Sequence, residues 1–253
     1  MLVIKNILQH YNPNDHQDII RLINGFNEVE DKMIIKDLGF LNPNLLEVID
    51  EFRVHYPTIK VIFDGGYEDA IRKKVIIYPD FYEDIDSNII IYNLEYVNKF
   101  EQLDHRHVLG TLLNNGINES MIGDIIVDND GFIQIVMDRD LDETIHYLIT
   151  KISNLTVKFV ECDDVNLVRK QKPLSVYKSR SLRVDSVLKA VLRISRNQCT
   201  KLLRSSKVKI NYSVVNDLTL LIKEKDVISV RGYGHFEIEE IREVNNGYNI
   251  FYR

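Results

Sequence analysis

Between Val184 and Asn211 the apolar positions change period twice. Val184, Val187, Leu188 and Val191 recur at i, i+3, i+4 and i+7, which predicts one face of a helix. Ser195 opens a second helix. Gln198 follows three residues later, as a capping box requires, and Ile194 is placed to staple onto Cys199. Leu202 and Leu203 continue that helix's apolar face, and Lys207-Val208-Lys209-Ile210-Asn211 then alternates as a short strand does. Asp226–Arg231 reads as a second strand closed by Gly232-Tyr233-Gly234, and Phe236, Ile238 and Ile241 suggest a third. Two short helices followed by a small sheet make one module.

Upstream, Asp15–Asn24 carries Ile19, Ile20 and Ile23 at helical spacing. Asn42-Pro43 is an N-cap followed by proline at the first helical position, with Leu45, Leu46, Ile49 and Phe52 as the stripe behind it. Ile59–Phe63 and Lys74–Tyr78 read as strands, and Asp64-Gly65-Gly66 as a turn. Next come a strand over Ile89–Tyr96 and a helix capped by Asp104, with Val108, Leu109, Leu112 and Leu113 inward and Gly116 at its end. A hairpin, Gly123–Val127 and Phe132–Met137, turns over Asp128-Asn129-Asp130-Gly131. Asp140 with Glu143 predicts a further capping box, ahead of a stripe of Ile145, Leu148, Ile149 and Ile152; Leu155–Val160 closes the sheet. The order βαββαβ is the ferredoxin-like pattern of many RNA-binding sheets, but the lysine- and aromatic-rich strand that stacks bases is missing; Phe132 and Tyr92 are poor substitutes. The chain is therefore expected to be α+β. The expected parts are an N-terminal α+β domain (1–80), a central βαββαβ ferredoxin-like or RRM-like domain (81–165), a basic linker (166–180) and the C-terminal module (181–253).

Charge changes this picture more than composition does. The net charge of −6 hides a division. Residues 169–213 hold thirteen Lys or Arg against one acid, Asp185, net +12; residues 1–168 are net −16 and residues 214–253 net −2. A basic block inside an acidic chain is the signature of a polyanion site. No stretch is apolar enough for a membrane span, and no basic start leads into an apolar run, so no membrane association is expected. Cys162 and Cys199 lack metal-ligand spacing and read as reduced, buried thiols of a cytoplasmic protein.

Candidate enzymatic chemistry is thin. Gly65-Gly66 lacks the longer fingerprint of a phosphate loop. His105-Arg106-His107 lacks the Asp and the companion motifs of a kinase loop, and the further ligands of a metal site; it reads as a helix N-terminal turn beside Asp104. Arg72-Lys73-Lys74, the one basic run of the first half, reads as a solvated strand edge. No methyltransferase-type glycine loop is visible. Arg183-Val184-Asp185 resembles a pseudouridine synthase Arg-Leu-Asp on paper, but Asp185 falls within a helix of the basic module and reads as structural. No catalytic residue, metal or cofactor is expected.

SLRVDSVLKAVLRISRNQCTKLLRSSKVKIN, followed by DVISVRGYGHFEI, resembles the alpha-L RNA-binding fold first described in a small-subunit ribosomal protein. Ser206 stands where that fold has glycine between helix and strand, and His235 where it often has arginine. FDGGYEDAIRKK, KFEQLDHRHVLGTLLNNGI and GDIIVDNDGFIQIV extend the likeness: the chain resembles the YlmH family of bacterial RNA-binding proteins over roughly residues 20–253. It departs at His107, often Asp in that family, and at Asn118-Glu119, where the family has a nearby basic residue. The resemblance implies a non-enzymatic cytoplasmic protein. It implies association with a large ribosomal subunit carrying a stalled peptidyl-tRNA, in the quality-control pathway that extends the stalled peptide without a template. Implied partners are rRNA, tRNA and the large subunit, with the protein a monomer. The competing class is an RNA-modifying enzyme using the C-terminal module as a substrate handle; a cell-division adaptor working through the acidic half is a third possibility.

The residues expected at RNA are Lys178, Arg180, Arg183, Arg193, Ser195, Arg196, Asn197, Thr200, Lys201, Arg204, Lys207, Lys209, Asn211 and Arg231. With Arg196 at zero, Thr200 falls at about 40°, Arg204 at about 80° and Lys207 at about 20°, while Cys199, Leu202 and Leu203 fall between about 240° and 340°. The basic arc clears the apolar arc, so Arg196 and Arg204 are expected to be dispensable for folding, and the capped helix start offers free N–H groups.

Overall fold

The computed structural model describes residues 8, 9, 11–97, 102–168 and 173–253. The chain divides into two compact units, residues 18–170 and residues 1–17 with 171–253.

The first unit begins within α1 (His16–Lys32), which runs past the expected end at Asn24 because Phe26 and Val29 prolong the buried stripe of Ile19, Leu22 and Ile23. Ile20 lies off that stripe and is exposed. The helix lies against a three-stranded antiparallel sheet of β1 (Lys36–Leu41), β2 (Ile59–Asp64) and β3 (Lys73–Pro79), in the order β1-β3-β2. Gly25 permits the approach: a Cβ there would stand 3.2 Å from Leu38 and 3.5 Å from Ile77. α2 (Pro43–Phe52) starts as expected, with the Asn42 side chain accepting from the Leu45 N–H and Pro43 at the first helical position.

The central segment forms β4 (Ile89–Tyr96), α3 (His105–Asn114), β5 (Ile122–Val127), β6 (Ile133–Asp138), α4 (Asp142–Leu148), the two-residue β7 (Lys151–Ile152) and β8 (Leu155–Cys162). The strand order β5-β6-β4-β8-β7 is the ferredoxin-like arrangement that βαββαβ implies. Both helices cover one face, where Ile90, Tyr92, Leu94, Ile135 and Met137 meet Val108, Leu112 and Ile145. Leu113 and Leu148, expected inward, are 40% and 41% exposed. The Asp140–Glu143 box does not form. Asp138 instead caps a 3-10 turn over Arg139–Leu141, Asp140 accepts from Asn88, and α4 opens at Leu141 without a side-chain cap. Ile149 and Ile152 are buried but lie beyond the helix.

The opposite face of this sheet is also covered. Ile91 and Val136 pack with Phe40 of β1, and Tyr67 and Val165 border the cluster. Gln134, fully buried, accepts from the backbone N–H groups of Asn166 and Leu167, strapping that segment over the sheet. Glycines make the fit possible: a Cβ on Gly39 (φ +75°) would meet the Ser120 carbonyl at 2.5 Å, and one on Gly123 would meet the Phe40 ring at 2.7 Å.

Arg72-Lys73-Lys74 helps to hold these layers and is not a solvated edge. Lys74 is 1% exposed and reaches Asp138 at 2.7 Å, Asp37 at 3.0 Å and the Asn88 carbonyl at 3.3 Å. Burial alone would lower its pKa, but the carboxylates of Asp138 and Asp37 outweigh it and raise it. Arg72 donates to the carbonyls of Ile122 (2.9 Å), Phe40 (2.9 Å) and Glu119 (3.0 Å). Asp124 accepts from Tyr67 and from the backbone of Ile71 and Arg72.

The second unit is a six-stranded antiparallel sheet with two helices. The strands are β9 (Ser175–Ser179), β10 (Val208–Ile210), β11 (Ser213–Val214), β12 (Val227–Val230), β13 (Gly234–Val244) and β14 (Gly247–Tyr252), in the order β11-β10-β12-β13-β14-β9. Residues 175–179, read from sequence as linker, are thus an edge strand pairing with β14. Helices α5 (Val184–Leu192) and α6 (Arg196–Arg204) bury Val184, Val187, Leu188, Cys199 and Leu203 against Val208, Ile210, Ile228, Val230 and Ile250. Before α1, Asn12 and Asn14 donate to the Val214 carbonyl at 3.0 and 2.8 Å, and Ser213 bonds Asp15.

Candidate nucleic-acid interface

α5 ends on Arg193, whose φ of +56° is left-handed; its guanidinium lies 5.7 Å from the Tyr177 ring centre. The chain re-enters a helix at Ser195, whose side chain accepts from the Gln198 N–H while Gln198 bonds back to the Ser195 N–H. The expected capping box is present, and it occupies the Ser195 hydroxyl. Thr200 likewise returns its hydroxyl to the Arg196 carbonyl at 3.1 Å.

α6 closes in a Schellman turn. The Ser206 N–H donates to the Leu203 carbonyl and the Lys207 N–H to that of Leu202, both at 3.0 Å. α3 ends in the same way, Gly116 to Leu113 and Ile117 to Leu112, with Gly116 at φ +83°. Ser206 takes the same left-handed place at φ +54°, so this turn keeps its shape without glycine. It delivers Lys207 to the start of β10. There the register sets Lys209 opposite Ser229, and the Lys207 carbonyl accepts from the Arg231 N–H at 2.9 Å. Val208, Ile210, Ile228 and Val230 point to the core, so strand alternation turns Lys207, Lys209 and Arg231 to solvent.

Besides Ser195 and Thr200, three further expected RNA contacts, Arg183, Arg196 and Asn211, are engaged by partners within the fold. Asp185 is completely buried in the first turn of α5. Arg196 donates to its Oδ2 from Nη2 at 2.9 Å and Nε at 3.1 Å, and Arg183 donates to its two oxygens at 3.2 and 3.3 Å. Burial pushes the Asp185 pKa up, but Arg196 and Arg183 win and hold it below the ordinary carboxylate range. Arg196 is therefore not the dispensable surface residue that its helical angle suggests. Asn211 is the third. At φ +47° it begins the turn after β10, with Oδ1 accepting from the Val227 N–H and Nδ2 donating to Asp226, each at 2.9 Å.

The other expected cations are exposed. Among the described residues, Lys178, Arg180, Lys201, Arg204, Lys207, Lys209 and Arg231 make no side-chain ion pair or hydrogen bond, and Asn197 is also exposed. Lys189 belongs with them although the sequence reading omitted it; its one signal was a place off the apolar stripe of α5. A surface of unpaired ammonium and guanidinium groups can neutralise phosphates without first breaking internal ion pairs.

The other sites considered give no comparable surface. Asp104 caps α3, accepting from the N–H groups of Arg106 and His107, and the Asp104 N–H donates back to His107 Nδ1 at 3.2 Å. No group of three or more His, Cys, Asp or Glu able to hold a metal occurs among the described residues. No described helix is long and apolar enough to cross a membrane. Cys199 is buried and Cys162 half-buried; burial raises both thiol pKa values. Gly66 (φ +77°) donates to Asp64 within a tight turn, and a Cβ on Gly65 would stand 2.1 Å from that of Ala70. Tyr92 is fully buried under the helices with its hydroxyl on Asp142, whereas Phe132 is exposed at the hairpin.

Comparison with known proteins agrees with this arrangement. Residues 83–166 match the family described as "Putative RNA-binding domain in YlmH", and residues 182–228 match the S4 domain. Over 242 residues the chain is 27% identical to the ribosome-associated protein quality control protein P2 of Bacillus subtilis (strain 168), covering 94% of this chain and 93% of that one. These matches support the YlmH family with a C-terminal S4 domain. A solved YlmH structure, the cell division protein ylmH from Streptococcus pneumoniae, superposes with a TM-score of 0.52 at 26% identity, over 60% of this chain and 93% of that one. The two matched domains are RNA-binding domains, and the S4 match spans α5, α6, β10 and the start of β12, the elements that carry most of the unpaired cations. β13, β14 and β9 lie outside that match.

Proposed function

We propose that this YlmH-family chain is a non-enzymatic, cytoplasmic, monomeric factor. It binds rRNA and tRNA on the large ribosomal subunit and acts in quality control of stalled peptidyl-tRNA. The observation that carries this reading is the set of unpaired cations on α6, β10 and the end of β12: Lys201, Arg204, Lys207, Lys209 and Arg231. They stand on a rigid helix–turn–strand scaffold, the arrangement that suits a structured RNA. The ribosomal setting is supported by the relative whose name places it in ribosome-associated quality control. We treat residues 181–253, with β9, as the RNA-binding module.

The competing reading is an RNA-modifying enzyme. Its one sequence lead, Arg183-Val184-Asp185, becomes a buried ion pair inside the module, with both carboxylate oxygens engaged by guanidiniums. Such a carboxylate is poorly placed to attack a base. Three measurements test the proposal. If about six phosphates are neutralised, log affinity for rRNA falls with log salt at a slope near −4 to −5; a flat line refutes phosphate binding. Crosslinking and sequencing in cells is expected to enrich large-subunit rRNA and tRNA, and reads spread over messages would overturn the ribosomal assignment. A modification missing from rRNA or tRNA of a deletion strain, and restored by the purified protein, would establish the enzyme reading instead.

A further inference from the structure

The pair Val230–Gly234 is the last in the ladder between β12 and β13, so Arg231, Gly232 and Tyr233 form the tip of that hairpin. Tyr233 is 44% exposed, and no other Phe or Tyr among the described residues of the second unit is exposed. We propose that the Tyr233 ring is a stacking platform for one unpaired base of the bound RNA. The proposal rests on the RNA-binding reading and goes beyond it. The cations account for phosphates, whereas Tyr233 selects RNA with a loop or bulge over a continuous duplex.

The argument starts from the backbone. The Tyr233 N–H donates to the Val230 carbonyl at 2.9 Å and closes the turn. Gly232 (φ +89°) and Gly234 (φ +106°) flank it in left-handed conformations, and a Cβ on either would meet no atom within 4 Å. The tip therefore has open space about it, and a flat ligand can approach without displacing protein. Its base is anchored, because the Arg231 N–H donates to the Lys207 carbonyl at 2.9 Å and ties the tip to the start of β10.

The other rings of the sheet are occupied. Tyr177 lies under the Arg193 guanidinium, and Phe251 lies under that of Arg242, 4.7 Å from the ring centre. Phe236, Tyr248 and Tyr252 pack on the core. Among the described residues, the Tyr233 ring has no aromatic or cationic partner and its hydroxyl no hydrogen bond.

The neighbours decide the ligand. Arg231 is two residues away, a chain span of at most about 7 Å, and Lys207 faces Arg231 across the ladder. Both side chains are exposed and unpaired, as is Arg204 at the adjoining end of α6. A ring set among free cations suits a nucleotide, with its base on the ring and its phosphate on a cation. An apolar protein surface would instead desolvate those cations without supplying an anion. Base–aromatic stacking accepts any base, since every base has a π face, so the platform reads whether a base is unpaired and not which base it is. Paired stems keep their bases stacked on one another, whereas loops and bulges splay them out.

The test uses the full chain and two RNA probes at fixed salt: a duplex carrying a bulge of unpaired nucleotides, and the same duplex without the bulge. Tyr233→Ala is expected to weaken binding of the bulged probe about tenfold, to leave the plain duplex within about twofold, and to leave the salt slope unchanged because no charge is removed. Tyr233→Phe keeps the ring and is expected to bind the bulged probe within about twofold of the parent. Thermal melts matching the parent exclude a folding effect. A second readout is spectroscopic. The chain contains no tryptophan, so Tyr233→Trp places a single indole at the tip; its emission is expected to be quenched by the bulged probe and much less by the plain duplex. If Tyr233→Ala binds the bulged probe like the parent, or loses equally on both probes, or if the indole does not distinguish them, no base stacks on this residue. If Arg204→Ala with Lys207→Ala weakens both probes while Tyr233→Ala weakens neither, the platform fails and the RNA-binding reading stands. A parent that binds neither probe overturns both.

Discussion

Arg196→Ala separates the two roles an arginine can play here. Its guanidinium is largely exposed, and from sequence its angle on α6 places it clear of the core. Yet two of its N–H groups end on Asp185 Oδ2, at 2.9 and 3.1 Å, and that carboxylate has no exposed surface. Removing one partner of a fully buried pair costs about 3–5 kcal/mol when the charge left behind has no compensation. Asp185 would keep Arg183, on both oxygens, and a hydrogen bond from Ser186. The lost bonds also come from a side chain that is 65% exposed and can exchange them for water. A loss of about 2 kcal/mol follows, at the lower end of what hydrogen bonds to charged groups contribute. In a chain of this size that lowers Tm by about 4–8 °C. Differential scanning calorimetry of the full chain, or hydrogen exchange at the α5 and α6 amides, reads the effect. Arg204→Ala, with no internal partner, is expected to melt within about 1 °C of the parent. A cycle of Arg196→Ala, Asp185→Asn and the double variant should give a coupling energy of about 1 kcal/mol or more. If Arg196→Ala melts like the parent and the cycle is additive, the pair contributes no stability and Arg196 returns to the RNA surface alone.

Lys74→Ala strands Asp138, itself buried, and should destabilise the first unit by about 3 kcal/mol or more, against less than about 1 kcal/mol for Lys73→Ala; chemical denaturation of the two variants checks it. Ser206→Gly puts glycine at the left-handed residue of the α6 Schellman turn and should stabilise the second unit by about 0.5–1 kcal/mol with RNA affinity unchanged; a lower Tm would contradict the turn geometry. Asp185 has a folded-state pKa below its ordinary 3.8, so its ion-pair contribution is complete above that pH and disappears as pH falls through the folded value. The stability difference between parent and Asp185→Asn should therefore shrink below about pH 4, and a difference constant from pH 6 to pH 3 would refute the assignment.

What the sequence made legible was local. The Ser195–Gln198 box, the Asn42-Pro43 start, the Asp104 cap and the Gly116 end each depend on residues within one or two turns, and each has its expected geometry. The βαββαβ order came through because its strands are rich in Ile, Val and aromatic residues and are bounded by helix caps and turn residues. What stayed hidden depends on partners far along the chain. β9 looked like linker because its pairing strand, β14, lies some seventy residues on and its own faces mix Val176 and Tyr177 with serines and a lysine. β1 went unseen because Asp37 and Gly39 interrupt it; Gly39 is there for the close approach to Ser120, which no periodicity reports. Asp140 and Glu143 had the spacing of a box, but Asp138, two residues earlier, made the cap that counted. A run of basic residues signals charge and not where the charge goes: Arg72 and Lys74 turn inward, while Arg204 and Lys207 face out.

That last distinction bears on how the two RNA-binding domains can differ in use. An RRM-like sheet binds RNA by exposing aromatic rings on the face away from its helices. Here that face carries Ile91, Gln134, Val136 and Cys162, and it is closed by Phe40, Tyr67 and the strap at residues 164–167. Of its cations, Arg139 is held by Glu161 at 3.0 Å and Arg106 by Asp104 at 3.2 Å, and only Lys151 and Lys158, among the described residues, are exposed and unpaired. Residues 1–168 also carry a net charge of −16, which disfavours an approach to phosphates over roughly a Debye length of about 8 Å. The stacking route through this sheet is therefore shut by packing, and the electrostatic route is opposed by charge. Residues 169–213, net +12, do not meet the electrostatic obstacle. A chain charged this unevenly is drawn to a polyanion by one stretch and pushed away by the other, so the field itself selects which part meets RNA before any base is read.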